Sequence, residues 1–226
     1  MENMKCDKCG DENISVCPPY KTGEIIRFGG YDWQILDAQS DKALIISRDV
    51  IELRPYDLDF TDETWETCDL REYLNGTFLQ RFSPEDRARI ITSEIRNDAN
   101  PWYETRGGND TEDEIFLLSL MEADMLFADG EDFLSAHREF DFDVDKFVEV
   151  ERGSGNGGFF SNAHDAGRLA LYNGNPACWW LRSPGSHESS AAFIFDNGAI
   201  GVLGLDLNAI LDVGGAGVRP ALWLKL

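Results

Sequence analysis

The spacing of apolar and polar residues predicts strands at both ends of the chain. Between Gly23 and Ile51, apolar and β-branched residues cluster around two turn signals, Gly29-Gly30 and Ser40-Asp41, which predicts three strands. Further strands are predicted near the C-terminus, over residues 177–182, 190–196, 199–205 and 217–225. Glycines lie between these C-terminal segments, as expected for turns.

The pattern becomes helical in the middle of the chain. Apolar residues recur at spacings of three and four over residues 68–82, which predicts an amphipathic helix. Ser83 is followed by proline and two acidic residues, the signature of a helix N-terminus. After a short apolar strand over 115–118, Ser119 and Glu122 have the spacing of a capping box. The order of strands, helices and strands favours an α+β fold.

Composition and charge restrict the class of protein and its partners. The chain of 226 residues is 42% hydrophobic, enough for one sizeable domain over 23–226 after a short polar leader, residues 1–22. A net charge of -22 repels phosphate backbones and anionic lipids, so neither nucleic acid nor a membrane is expected as a partner. The N-terminus has no apolar signal segment, and five scattered cysteines do not suggest a disulfide framework. A cytoplasmic location is therefore expected.

The leader contains the one motif that suggests a cofactor. Cys6 and Cys9 are separated by two residues and followed by glycine, as in a zinc knuckle, and Cys17 adds a third thiolate. A structural zinc site needs four ligands, and Cys68 or Cys178 could complete it only if the chain folded back. The leader is thus interpreted as a degenerate zinc ribbon. Either it binds zinc incompletely or it has lost the metal, and no other cofactor is expected.

The remaining motifs do not assemble a known catalytic sequence. The acidic run from Asp141 to Glu149 fails as an EF-hand, because lysine and arginine stand where the loop needs glycine and glutamate. The GSGNGG stretch within residues 128–165 predicts a loop and lacks the lysine of a phosphate cradle. The conceivable nucleophiles and bases are Ser161, Ser183, Cys178, His137, His164 with Asp165, and His187. A non-catalytic domain is favoured, and an enzyme remains an alternative.

Six segments in order carry a family resemblance over residues 23–226. They are FGGYDWQILD, TWETCDLREYLNGTFLQRFSPEDRARI, DEIFLLSLMEA, WWLRSPG, AAFIFDNGAIG and GVRPALWL. The chain resembles a family of bacterial and phage domains of unknown function with a C-type-lectin-like fold. The resemblance implies a mixed fold with C-terminal antiparallel strands in a central sheet and two or three helices. Related lectin-fold proteins include the variable proteins of diversity-generating retroelements and the formylglycine-generating enzymes.

The resemblance also divides the C-terminal region into a framework and an exposed insert. By analogy with the variable proteins, residues 179–185 and 217–224 form the framework, and residues 186–214 form the insert. The ligand-binding candidates are Ser186, His187, Glu188, Ser189, Asn197, Asp206 and Asn208. The structural candidates are Trp179, Trp180, Arg182, Arg219 and Trp223. Sugar-binding C-type lectins bind calcium through Glu-Pro-Asn or Gln-Pro-Asp followed by Trp-Asn-Asp. The nearest stretch in this chain is Asn175-Pro176-Ala177, without a Trp-Asn-Asp, so calcium-dependent sugar binding is not expected. The formylglycine-generating enzymes use two active cysteines in the C-terminal part of the chain, where this sequence has only Cys178.

Two structural expectations follow for the framework itself. Trp179 and Trp180 are neighbours in a strand, so one should face the core and the other the opposite side. Arg182 and Arg219 lie in apolar strands and need acceptors if buried, which predicts hydrogen bonds to loop carbonyls or carboxylates. An anion-binding role for either arginine is the alternative.

Three functions therefore remain open. The first is a binding domain for a protein or another macromolecule, with its surface near residues 186–214. The second is an enzyme related to formylglycine-generating enzymes. The third is a structural or assembly protein of a phage or prophage, in which the acidic segment 104–151 contacts a basic partner.

Overall fold

A computed structural model describes residues 19–59, 62–128, 159–209 and 216–226. In its first part the strands are β1 (Ile25–Phe28), β2 (Tyr31–Ala38), β3 (Lys42–Ser47), β4 (Glu52–Leu53), β5 (Ile90–Ile91), β6 (Ser93–Ile95) and β7 (Thr111–Asp113). The later strands are β8 (Phe159–Phe160), β9 (Leu171–Tyr172), β10 (Asn175–Pro176), β11 (Trp179–Pro184), β12 (Ser190–Ile194), β13 (Ile200–Asp206), β14 (Gly217–Val218) and β15 (Ala221–Lys225). The α-helices are α1 (Asp69–Tyr73), α2 (Pro84–Arg87), α3 (Leu120–Met125) and α4 (Asp165–Arg168).

Most strands of the described ranges belong to two sheets. The first has the order β1-β2-β3-β15-β5 and is antiparallel throughout. The second has the order β4-β14-β11-β12-β13-β8 and contains one parallel pair, β14 with β11. Two small pairs, β9 with β10 and β6 with β7, lie outside them. The α+β class and the three strands at the start of the chain are confirmed, whereas the C-terminal strands are not all antiparallel.

The predicted strand over 217–225 is two strands in different sheets. β14 pairs with β4 and β11 in the second sheet, and β15 pairs with β3 and β5 in the first. Pro220 lies between them and has no N–H to donate to a ladder. The buried guanidinium of Arg219 donates to the carbonyls of Ser47 (2.8 Å) and Arg168 (3.2 Å), and so ties the crossing segment to its surroundings. Burial lowers the pKa of Arg219 to about 9, which still leaves it charged at neutral pH.

Trp179 and Trp180 are both fully buried, so the side opposite the core, where one of the two rings was expected, is also packed. The second sheet is covered on both faces, and each indole packs against a different neighbour. The Trp179 ring meets Phe127, with centroids 6.4 Å apart, and the Trp180 ring meets Tyr56 at 5.7 Å. Both indole N–H groups donate to backbone carbonyls, at 3.0 and 2.8 Å. Trp223 is only half-buried and lies under the Lys42 ammonium, 4.3 Å from the ring centroid.

The helices are more numerous and shorter than the sequence predicts. Residues 69–81 are helical, but α1 passes into a π-helical turn, Leu74–Phe78, and then a 3₁₀ turn, Leu79–Arg81. The helix that begins after Ser83 ends by Arg87, because the β-branched residues that follow pair as β5 with β15. The described residues thus form four α-helices rather than two or three. The predicted strand over 115–118 makes a single bridge, between Phe116 and Ala221.

Candidate functional site

The loop between β11 and β12, residues 185–189, has a hydrogen-bonded backbone and two exposed side chains, His187 and Glu188. The Ser190 hydroxyl accepts a hydrogen bond from the His187 N–H (3.1 Å) and donates to the His187 carbonyl (2.9 Å). The Ser186 N–H donates to the Leu203 carbonyl on β13 (2.7 Å). The side chains of His187 and Glu188 point to solvent. The loop therefore presents free polar groups on a backbone that is already ordered.

Most of the predicted ligand-binding residues meet at this end of the second sheet. The Leu207 N–H donates to the Ser189 carbonyl (3.0 Å), and Asp206 pairs with Ser190 across β12 and β13. The residues that share this end are Ser186, His187, Glu188, Ser189, Asp206 and Asn208, and we call them the loop-end surface. Asn197 lies in the opposite turn, where its side chain accepts from the Ala199 N–H (3.0 Å). The five residues of β12 separate it from the loop by roughly 15 Å.

A segment that the sequence analysis did not single out, residues 96–109, supports the loop. The buried amide of Asn100 donates to the carbonyls of Pro184 (2.9 Å), Gly185 (3.2 Å) and Val202 (2.9 Å). Its oxygen accepts from the Trp102 N–H (3.0 Å), an Asx turn. Asn100 therefore joins the end of β11 to β13. The signals available in the sequence were the turn dipeptides Asn-Pro at 100–101 and Gly-Gly at 107–108.

Two open clefts border the loop, one on each part of this segment. The Arg96 cleft has a volume of about 480 Å³ and is lined by Arg96, Asp98, Ala99, Asn100, Pro101, Glu104, Ser119, Leu120, Met121 and Ser183. The Glu66 cleft has a volume of about 340 Å³ and is lined by Asp62, Thr64, Glu66, Thr67, Arg106, Gly108, Asn109 and Glu188. Ser183 precedes the loop and Glu188 belongs to it, so both clefts adjoin the loop-end surface.

The wall of the Arg96 cleft is fixed by an ion pair between Arg182 and Glu122. The buried Arg182 guanidinium donates to both carboxylate oxygens of Glu122 and to the carbonyls of Leu117 (2.8 Å) and Arg96 (3.1 Å). Burial alone would raise the pKa of Glu122, but Arg182 and the donors of Ser119 lower it below its usual value. The capping box predicted for Ser119 and Glu122 is present at the start of α3. Backbone carbonyls accept hydrogen bonds from the guanidinium groups of both Arg182 and Arg219.

The Glu66 cleft is predominantly acidic. The carboxylate of Glu66 accepts three hydrogen bonds from Asn109, one from its N–H and two from its amide, at 3.0–3.1 Å. These bonds lower the pKa of Glu66, so it is ionised at neutral pH. Asp62 and Glu188 add two more carboxylates, against the single cation of Arg106. This side of the loop therefore suits a basic or polar partner.

The structure joins only some of the residues suggested for catalysis: the Ser161 hydroxyl donates to the Asp165 carboxylate (2.5 Å), whereas Cys178 and His187 are far apart. Cys178 precedes β11 and His187 follows it, roughly 20 Å apart along the strand. Burial raises the pKa of Cys178, which is opposite to what a thiolate nucleophile needs. Burial likewise raises the pKa of Cys68, to about 12. His164 and Asp165 lie at the start of α4, beside the turn that holds Asn197.

Other predicted features lie outside the described residues. These are the thiols of Cys6, Cys9 and Cys17, the acidic run 141–149, His137, the GSGNGG stretch and part of the insert, residues 210–215. Within the described ranges, no group of three or more His, Cys, Asp and Glu side chains could hold a metal ion. In the same ranges, no helix has the length and apolarity needed to cross a membrane.

Comparison with protein families identifies the region that contains the site. Residues 40–226 match the model of a family described as Domain of unknown function (DUF6273). The chain belongs to the DUF6273 family. Comparisons with curated proteins and with solved structures give no match. The DUF6273 region begins before β3 and includes the loop-end surface and both clefts, so the candidate site belongs to the family domain, whereas β1 and β2 precede the match.

Proposed function

We propose that this DUF6273 domain is a non-catalytic binding domain that recognises a protein or other macromolecule through the loop-end surface. The observation that carries the proposal is the contrast at the β11–β12 loop, where the backbone of His187 is held by Ser190 while its side chain is exposed. A preordered loop loses little conformational entropy on binding, which favours recognition. The acidic Glu66 cleft beside it favours a basic protein surface over nucleic acid or a membrane.

The proposal includes a C-type-lectin-like scaffold, as the family resemblance implies. In that scheme residues 179–185 and 217–224 are a constant framework, and residues 186–214 are the part that varies between copies. The burial of β11 and β14 and the exposure of His187 and Glu188 support this division at the loop, because exposed positions tolerate substitution. The expectation that the whole insert is exposed is wrong for β12 and the first three residues of β13, which are buried. Deep sequencing of the 3′ end of the gene in the source population tests it. Variation confined to 186–214 is expected, and an unvarying 3′ end would remove the diversified-surface part of the proposal.

A photo-crosslinking pair tests the binding surface itself. A benzophenone amino acid is placed at His187 in one variant and at Asn197 in the other, both exposed and at opposite ends of the sheet. In the cells that make the protein, we expect a discrete adduct from position 187 and none of the same mass from position 197. Equal adducts from both positions, or none from 187, would contradict recognition by the loop-end surface.

A further inference from the structure

The backbone of Glu104 has a conformation that needs an explanation. Its φ is 56°, and Asn173 is the other non-glycine residue with positive φ in the described part of the chain. Asn173 is followed by Gly174 in the tight turn between β9 and β10, where asparagine and glycine are favoured. Glutamate has no such preference for the left-handed region. Strain of this kind persists where the surrounding structure enforces it, often at ligand sites.

The surroundings of Glu104 do enforce it. Its N–H donates to the Asn100 carbonyl (2.9 Å), and the Asn100 N–H donates to the Thr105 carbonyl (2.9 Å). Asn100 is itself anchored to β11 and β13 through its side chain. The result is that Glu104 lies on the wall of the Arg96 cleft.

Among the described residues, no cation pairs with the Glu104 carboxylate in the Arg96 cleft. The guanidinium of Arg96 already pairs with Asp98 (3.0 Å), and both side chains are largely exposed. Across the described residues, the Glu104 carboxylate has no hydrogen bond or ion pair. An anion would therefore meet an engaged arginine and a free carboxylate, whereas a cation would meet a free acceptor.

The other residues that line the Arg96 cleft suit the hydrocarbon chain of a small ligand. Apolar surface comes from Ala99, Pro101 and Met121, and a volume of about 480 Å³ is within the range of small-molecule sites. The Ser183 hydroxyl uses one lone pair to accept from the Leu120 N–H (3.0 Å), which leaves a second lone pair for another donor. We propose that the Arg96 cleft binds a small aliphatic amine, whose ammonium group is held by Glu104 and whose chain lies on the apolar lining. This site adjoins the loop-end surface but shares no residue with it.

Titration with n-pentylamine, followed by amide chemical shifts of the full chain, tests the proposal. Saturable shifts are expected for residues 99–104 and 119–121, and 1-pentanol at the same concentrations should not produce them. Glu104→Gln should weaken binding roughly tenfold or more, because the charged hydrogen bond is lost. The matched control is Glu94→Gln, another exposed glutamate, which should leave binding unchanged.

A second variant separates binding from folding. Glu104→Gly removes the carboxylate and suits the positive φ, so it should raise the unfolding midpoint while abolishing the pentylamine shifts. Shifts spread over the whole acidic surface, or equal affinity in Glu104→Gln and the parent, would overturn the proposal. Failure here leaves the crosslinking result at His187 unaffected, because the two experiments probe different residues.

Discussion

Replacement of Glu122 by glutamine separates the charge of the Arg182–Glu122 pair from its hydrogen bonds. Glutamine retains an oxygen to accept from the Ser119 N–H, which lies 2.8 Å from the present carboxylate. It removes the negative charge opposite a guanidinium whose side chain is only 4% exposed. Breaking a buried ion pair costs about 3–5 kcal/mol. Because Glu122 is 36% exposed and Arg182 keeps carbonyl acceptors, solvent screening reduces the expected loss to about 1–2 kcal/mol.

The pH dependence of that loss identifies its origin. The pKa of Glu122 in the folded protein lies below its ordinary value of 4.5, so its contribution to stability is complete above that value. The contribution is lost as pH falls through the folded pKa, since the carboxylate then becomes neutral like glutamine. Urea unfolding of the parent and of Glu122→Gln should differ at pH 7 and converge in acid. If the difference in the free energy of unfolding stayed constant with pH, the electrostatic reasoning would be wrong. If there were no difference at pH 7, the Arg182–Glu122 ion pair would not stabilise the protein.

Three further predictions concern the support of the loop. Asn100→Ala should cost about 2–4 kcal/mol in urea unfolding, because three backbone carbonyls lose a buried donor. Gly185→Ala should lower the thermal unfolding midpoint strongly, because the added Cβ would overlap a carbonyl oxygen of β13. The control is Gly76→Ala, which has no atom within 4 Å of the added Cβ and should not lower the midpoint. Equal effects of the two variants would contradict the close approach at Gly185. Alanine at His187 and Glu188 together should change the free energy of unfolding by less than about 0.5 kcal/mol, and a larger loss would make these side chains structural.

The features that the sequence predicted well depend on near neighbours. Ser83 caps α2 by accepting from the Asp86 N–H (3.0 Å), and both bonds of the capping box at Ser119 are present. Each involves residues three positions apart, so the pattern alone is sufficient. The strand over 217–225 has one local sign of its division, Pro220, but nothing local decides which sheet each half joins. Its halves are equally apolar, and their sheets are decided by partners far away in sequence, Leu53 for Gly217 and Ile46 for Ala221.

The same distinction applies to the candidate site. The β11–β12 loop was predictable, because a Ser-Pro-Gly turn and polar residues separate two apolar strands. The two clefts were not, because each forms only when distant segments meet. The Arg96 cleft needs residues 96–104 to lie against the start of α3 and the end of β11, and the Glu66 cleft needs residues 106–109 to lie against residues 62–67. The Asn-Pro dipeptide at 100–101 signals a turn, but it does not show that the Asn100 amide bonds to the distant carbonyls of Pro184 and Val202. A buried polar side chain with all its partners distant in sequence leaves no periodic pattern by which to recognise it.

The buried arginines connect the fold to the character of the surface. Arg168, Arg182 and Arg219 are each at most 4% exposed, and backbone carbonyls accept from all three. All three guanidinium nitrogens of Arg182 and of Arg219 donate inside the protein, which argues against the anion-binding role considered for them. The three buried arginines are offset in number by the buried acids Asp57, Asp113 and Asp124, so the outer surface keeps the acidic character of a chain whose net charge is -22. A basic partner of the loop-end surface should therefore associate more slowly as salt is raised.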